Sequence, residues 1–276
     1  ETGDLAGALA ALAHADQQFL TRTEDLVCLQ WLHGRAEEQL GNPGLAIQRY
    51  RRARDLLVAG GSVPPGSPFD FYSLLSAEAQ LLADRGAWEE AVALYQVALA
   101  DADSEQASFT RHELAVILIE AGQGVAAAEQ LRLVAADDEY GWRAEALAEL
   151  ADLAFRDGDN AEAERLAREA LKLKPVPAAF LCMGSISLDY FRLDEAVSWF
   201  ERAAEAASSG DPAWVAAQQL LADTFAQMGP ENAERLYRHA QLALRYTDRR
   251  NDWYLPLRGH AELAVRVLAG QRRLVN

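Results

Sequence analysis

The chain has 276 residues, and 26 basic against 42 acidic side chains give a formal charge of −16, with a pI near 4.7. That balance excludes a sequence-independent nucleic-acid binder, which needs a cationic face, and docking on an anionic membrane. Half the residues are apolar, 54 are Ala, and no run is long and apolar enough to span a bilayer, so the chain reads as all-helical and globular.

In chain order the helices come in pairs. Gly3-Asp4 followed by Ala8, Leu12 and Ala15 reads as the turn and second helix of an incomplete pair over 1–20. Its missing first helix suggests a segment cut from a longer chain or covered by another subunit; a divergent N-terminus is the plain alternative. Pairs then follow over 24–59, 70–103, 107–140, 142–175, 177–210 and 212–248. Each second helix carries a small-x-x-x-large-x-x-small pattern: Ala46/Tyr50/Ala53, Ala91/Tyr95/Ala98, Ala127/Leu131/Val134, Ala163/Ala167/Ala170, Ala196/Phe200/Ala203 and Ala233/Tyr237/Ala240. A turn residue precedes each one: Gly41, Gly86, Gly122, Gly158, Phe191 (the non-glycine exception) and Gly229. About seven residues earlier stands a small residue, Gly34, Ala79, Ala115, Ala151, Gly184 or Ala222, where two helices would cross. The leading alanines are 45, 36, 36, 33 and 37 residues apart. The long first interval holds GGSVPPGSP, a non-helical loop over 60–68 that reads as exposed: a plain insertion, a hinge or a docking loop. Over 252–276, Leu255 to Ala269 reads as one terminal capping helix.

This pattern resembles the tetratricopeptide repeat (TPR), a helix–turn–helix unit, over nearly the whole chain. The segments ALAELADLAFRDGDNAEAERLAREALKLKP and FLCMGSISLDYFRLDEAVSWFERAAEA match it best. The resemblance implies an all-α, right-handed superhelical α-solenoid of about six full units with partial units at both ends. It further implies a concave groove lined by the first helix of each unit. Carrying the family's groove positions across gives Trp31, Arg35, Gln80, Asp84, His112, Val116, Ile119, Glu120, Asp152, Phe155, Arg156, Ser185, Leu188, Asp189, Asp223 and Gln227 as groove residues, with Ser76, Leu181 and Gln219 at neighbouring positions. Apolar and acidic residues alternate there, which suits a basic, partly apolar peptide or partner helix. The alternative is that the apolar members pack between helices and the acids are merely solvated. The Lys/Asn/Arg set with which some members grip a C-terminal carboxylate is missing.

No catalytic signature is present. His14, His33, His112, His239 and His260 form no i, i+4 pair and no HExxH, and there is no P-loop, GxGxxG or GxSxG. Asp137-Asp138-Glu139 reads as solvated helix-end charge rather than a cation site. Cys28 and Cys182 form no metal motif. Stacked at about 8–10 Å per helix layer, units this far apart place the thiols well beyond the about 7 Å a disulfide needs. Free thiols fit a reducing, cytoplasmic location. No cofactor and no metal is expected.

The expected function is a non-catalytic protein–protein interaction scaffold or adaptor. The second reading is a sensor or oligomerisation segment of a larger bacterial regulator, such as a transcription activator or signalling ATPase. Glu231 to Asn276 carries nine Arg against five acids, a net of +4, so the preceding 230 residues carry −16 − 4 = −20. Basic residues in last helical turns would complement helix dipoles; alternatively, the basic end meets the acidic body of a second copy. Head-to-tail contact of that kind predicts self-association at low salt, measured by light scattering and dissolved by added salt. A monomer at low salt removes the idea.

Overall fold

The computed structural model describes residues 7, 22–63, 65–100 and 104–275, with the side chains of all of these except 104–105 and 272–275. The expected helix over 1–20 therefore lies outside the described residues, Gly7 apart. Thirteen α-helices and no strand occur among the described residues. The chain divides into two compact bodies, Glu1–Gln130 and Leu131–Asn276, with the division inside one helix.

The first body holds α1 (Thr23–Gln39), α2 (Pro43–Val58), α3 (Phe71–Ala83), α4 (Trp88–Ala100), α5 (Ser104–Glu120) and the start of α6 (Gly124–Ala135). The second holds the end of α6, then α7 (Arg143–Arg156), α8 (Asn160–Leu173), α9 (Pro177–Asp189), α10 (Leu193–Ala206), α11 (Pro212–Met228), α12 (Ala233–Leu244) and α13 (Tyr254–Val275). Helices α1 to α5 pack on one another in sequence, and so do α7 to α13. Pro43, Pro177 and Pro212 open their helices, where a missing N–H costs nothing. Asp70 and Ser73 close a capping box on α3, and Asp159 caps α8 through the Glu162 amide at 3.0 Å.

Five pairs turn in the same way. In the first, Gly41 N–H donates to the Glu38 carbonyl and Asn42 N–H to the Glu37 carbonyl. The same pair of bonds recurs at Gly86, Gly122, Gly158 and Phe191. This C-terminal motif needs a left-handed residue. The four glycines have φ between 73° and 81°, whereas Phe191 reaches 54° with a side chain that is 83% exposed. The sixth turn differs. Gly229 is extended in ψ (φ 106°, ψ 178°) and leads into a short 3-10 turn, Pro230–Asn232. Gly229 stands four residues before Ala233, where the other turn residues stand five before their alanines. Tyr237, expected to fill the interior, is 39% exposed, and Leu236, Ala240 and Ala243 are buried instead.

The crossing residues sit against the second helix of their own pair. A Cβ on Gly34 would lie 2.3 Å from Cε1 of Tyr50, and one on Gly184 would lie 2.3 Å from Cε1 of Phe200. Both rings are completely buried. They lie directly on the backbone of the first helix, so any side chain there collides with a ring. In the second body Phe200 joins Leu221, Phe225, Leu236 and Leu257 in one core. Helix α13 covers this core with Leu257, Ala261 and Ala264 and extends to Val275, beyond the Ala269 limit read from the sequence.

The loop at 60–68 is non-helical, as its prolines and glycines dictate, but it is tied down rather than free. Ser62 Oγ donates to Glu24 at 2.7 Å. Phe69 is 6% exposed and stacks on Trp31 at 4.7 Å, with the rings 6° from parallel.

Gly184→Ala gains about 1 kcal/mol of helix propensity but forces a methyl into the Phe200 ring, for a net loss of about 1–2 kcal/mol. Urea unfolding checks this, and adding Phe200→Leu recovers part of the loss.

Candidate functional site

Spacing alone places the expected binding residues on one side of the first helices. Asp152, Phe155 and Arg156 on α7, and Ser185, Leu188 and Asp189 on α9, follow the crossing residues Ala151 and Gly184 by one, four and five positions. In an α-helix those offsets share a face. Asp223 and Gln227 stand one and five after Ala222 on α11. In the first body, Trp31 and Arg35 lie on α1, Gln80 and Asp84 on α3, and His112, Val116, Ile119 and Glu120 on α5.

None of these sixteen side chains is buried. Arg35, Gln80, Asp84, Glu120, Arg156, Asp189 and Gln227 are exposed, and the rest are half-buried. Their surroundings differ from the expectation in four places. Trp31 is covered by Phe69, with the Arg35 guanidinium 5.9 Å from its ring centroid, so the loop already occupies that indole. Ser76 is engaged with the Tyr95 hydroxyl at 3.1 Å. Gln219 is buried and donates to Thr247 Oγ1 at 3.3 Å, so it belongs to the interior. Leu188 and Leu181 lean on the core of the second body and offer only part of their surface.

The carboxylates of this face are mostly held by their own neighbours. Asp152 is ion-paired with Arg156 on the next turn. Burial pushes its carboxyl above the usual range, against the pull of Arg156. Asp84 accepts from Gln80 at 3.1 Å, and Asp189 accepts from Asn160 at 3.4 Å. Asp223 accepts from Gln227 at 2.8 Å and faces His260 Nε2 at 3.5 Å. Among the described residues no Lys or Arg pairs with Asp84 or Asp189, so their charge remains available to a cation from outside.

Sequence reasoning missed the most buried charge. Glu78 precedes the crossing residue Ala79, and its side chain is fully buried. Arg51 Nε meets it at 3.2 Å and Arg54 Nη1 at 2.9 Å, while Arg51 Nη2 reaches Glu90 at 2.8 Å. Burial raises the Glu78 carboxyl above its usual range despite Arg54 and Arg51. A single Glu on an apolar helix face was the available signal. In the acidic run at 137–139, Asp138 pairs with Arg143, and Asp137 accepts from the Glu139 amide.

Other groups with shifted titration are interior groups. Burial, aided by Arg238 and Arg235, holds His239 down to about 4. Its Nδ1 bonds Gln218 Oε1 at 2.7 Å, and its ring stacks on Phe225 at 5.4 Å. Burial pushes the Cys182 thiol up to about 12, and Asp152 adds to the rise, which leaves it protonated and unreactive. Among the described residues no three His, Cys, Asp or Glu side chains form a group fit for a metal, and no helix is long and apolar enough to cross a membrane.

No protein-family model matches the sequence, and no curated protein matches it. Solved structures do match. A tetratricopeptide repeat protein from Parabacteroides merdae is 15% identical and superposes with a TM-score of 0.67, covering 95% of this chain and 93% of its own. PilF of Pseudomonas aeruginosa is 16% identical over 86% of this chain and 98% of its own, with a TM-score of 0.60. The apo form of the quorum sensor NprR from B. thuringiensis is 12% identical over 96% of this chain and 83% of its own, with a TM-score of 0.60. These likenesses show the fold, an all-α tetratricopeptide-like helical repeat.

The stability contributed by neutral, buried His239 is full above about pH 6.5, where an unfolded histidine is also neutral, and is lost as pH falls towards about 4. His239→Gln removes that proton linkage. Urea midpoints measured from pH 7 to 4 should fall less steeply in the variant.

Proposed function

We propose that this tetratricopeptide-like repeat is a protein-interaction scaffold whose first-helix face holds a basic, partly apolar peptide or partner helix. The observation that carries the reading is a repeated one. Ile119, Phe155 and Leu188 each stand four residues past a crossing residue, half-buried, and each is followed directly by an exposed charge, Glu120, Arg156 or Asp189. In each body, apolar side chains with a carboxylate beside them favour a ligand with apolar anchors and cationic flanks. Asp84 and Asp189, which lack a cationic partner among the described residues, supply attraction without a strong internal competitor. The role is binding, with no chemical step.

Display selection of peptides on the full chain tests it. Selected peptides should be enriched in Lys or Arg around one or two apolar residues. Phe155→Glu should weaken their binding by about tenfold or more, 1.4 kcal/mol or above, with an unchanged circular dichroism spectrum. Selection of acidic peptides, or equal binding by Phe155→Glu, defeats the proposal.

A further inference from the structure

A cleft of about 360 Å3 opens in the first body between α2, the end of α3 and the start of α4. None of the sixteen residues of the first-helix face lines it, so its occupant is independent of what that face binds.

Its wall has two chemical halves. Ile47 and Leu82 give an apolar side. Arg51, Arg85 and Gln48 give a side of hydrogen-bond donors. Arg51 is only partly engaged: Nε serves Glu78, Nη2 serves Glu90, and Nη1 bonds neither carboxylate. Arg85 and Gln48 are exposed, and among the described residues neither side chain has a hydrogen-bond or ion-pair partner. Gly44 makes room for this arrangement. A Cβ there would come within 3.2 Å of Arg85 Nη1, so the guanidinium lies over the bare backbone at the start of α2. The first turns of α2 and α4 both border the cleft, and their positive dipole ends add to the same field.

Charge fixes the sign and size of what fits. Of the charged side chains in the cleft wall, Arg51 and Arg85 are positive and Glu90 is negative, which leaves one positive charge. We infer that the cleft is a binding site for a small organic monoanion, a carboxylate bound by Arg85 and Arg51 with a short apolar body against Ile47 and Leu82. A planar guanidinium pairs with a carboxylate through two parallel hydrogen bonds. Inorganic phosphate, with more charge and no apolar part, fits less well. Free organic acids and the C-terminus of a peptide carry the same group.

Calorimetric titration of the full chain at low salt tests the assignment. Hexanoate should bind saturably, with a Kd of about 1 mM or below, and hexanamide and inorganic phosphate should bind about tenfold more weakly or not at all. A pentapeptide ending in Leu, with free and with amidated terminus, is the second arm. Tighter binding of the free-ended peptide than of hexanoate identifies chain termini as the source of the carboxylate, and the reverse order identifies free acids. Arg85→Gln should weaken the carboxylate probe by about tenfold. Gly44→Val, which pushes Arg85 away, should do the same, while Arg52→Gln on the same helix but outside the cleft should leave binding unchanged. Circular dichroism confirms that each variant is folded. Lack of saturable binding by both carboxylates, equal binding of hexanamide, or wild-type affinity in folded Arg85→Gln overturns the site.

Discussion

The structure depends on rings laid against bare backbone. Tyr50 on Gly34 and Phe200 on Gly184 leave no space for even one methyl group. Because the ring belongs to the second helix and the gap to the first, each pair can close in one register only. Closing it turns one side of the first helix inward and leaves the residues one, four and five positions later facing out. The candidate face is thus a by-product of the crossing, with composition free to vary while its placement is fixed.

Each body buries an apolar interior, and the first also buries an ion cluster. In the second, an apolar core runs from α10 through α11 and α12 to α13, with Phe200, Phe225 and Leu257 fully buried. In the first, α2 meets α3 through Glu78 held by Arg51 and Arg54. A buried ion cluster gives little net stability once desolvation is counted, but losing one partner leaves an uncompensated charge. That makes it a device for position more than for strength. It also leaves Arg51 with donor capacity beside an open cleft. On the candidate face Asp152 is half-buried and already paired with Arg156, so an incoming cation would compete with it.

The repeat was legible because its rules are local. A small residue, a turn residue that is glycine in all pairs but one, and in four pairs a large residue sixteen positions after the small one recur in chain order, and each has one physical reason. The face followed from the same periodicity, and all sixteen side chains proved reachable by solvent. Contacts set by the chain returning on itself were not legible. Phe69 covers Trp31 because a loop of prolines and glycines folds back on α1, and nothing in the spacing specifies that path. Glu78 was not singled out because its two arginines lie 24 and 27 residues earlier. Tyr237 was misplaced because the sixth turn departs from the others: Gly229 leads through a 3-10 turn, one residue shorter, and Leu236 takes the interior.

The α9–α10 turn closes through Phe191 where equivalent turns use glycine. A left-handed conformation costs a side-chain-bearing residue about 1–2 kcal/mol, and an 83% exposed ring recovers almost none of it by burial. The two amide bonds that close this turn, Phe191 to Leu188 and Arg192 to Ser187, are therefore held by a strained hinge. In terms of local opening, the chain can release this connection at less cost than a glycine turn, while the Gly184–Phe200 crossing behind it stays shut. The fifth pair accordingly combines a rigid waist with a loosened tip, and the tip presents an aromatic ring to solvent.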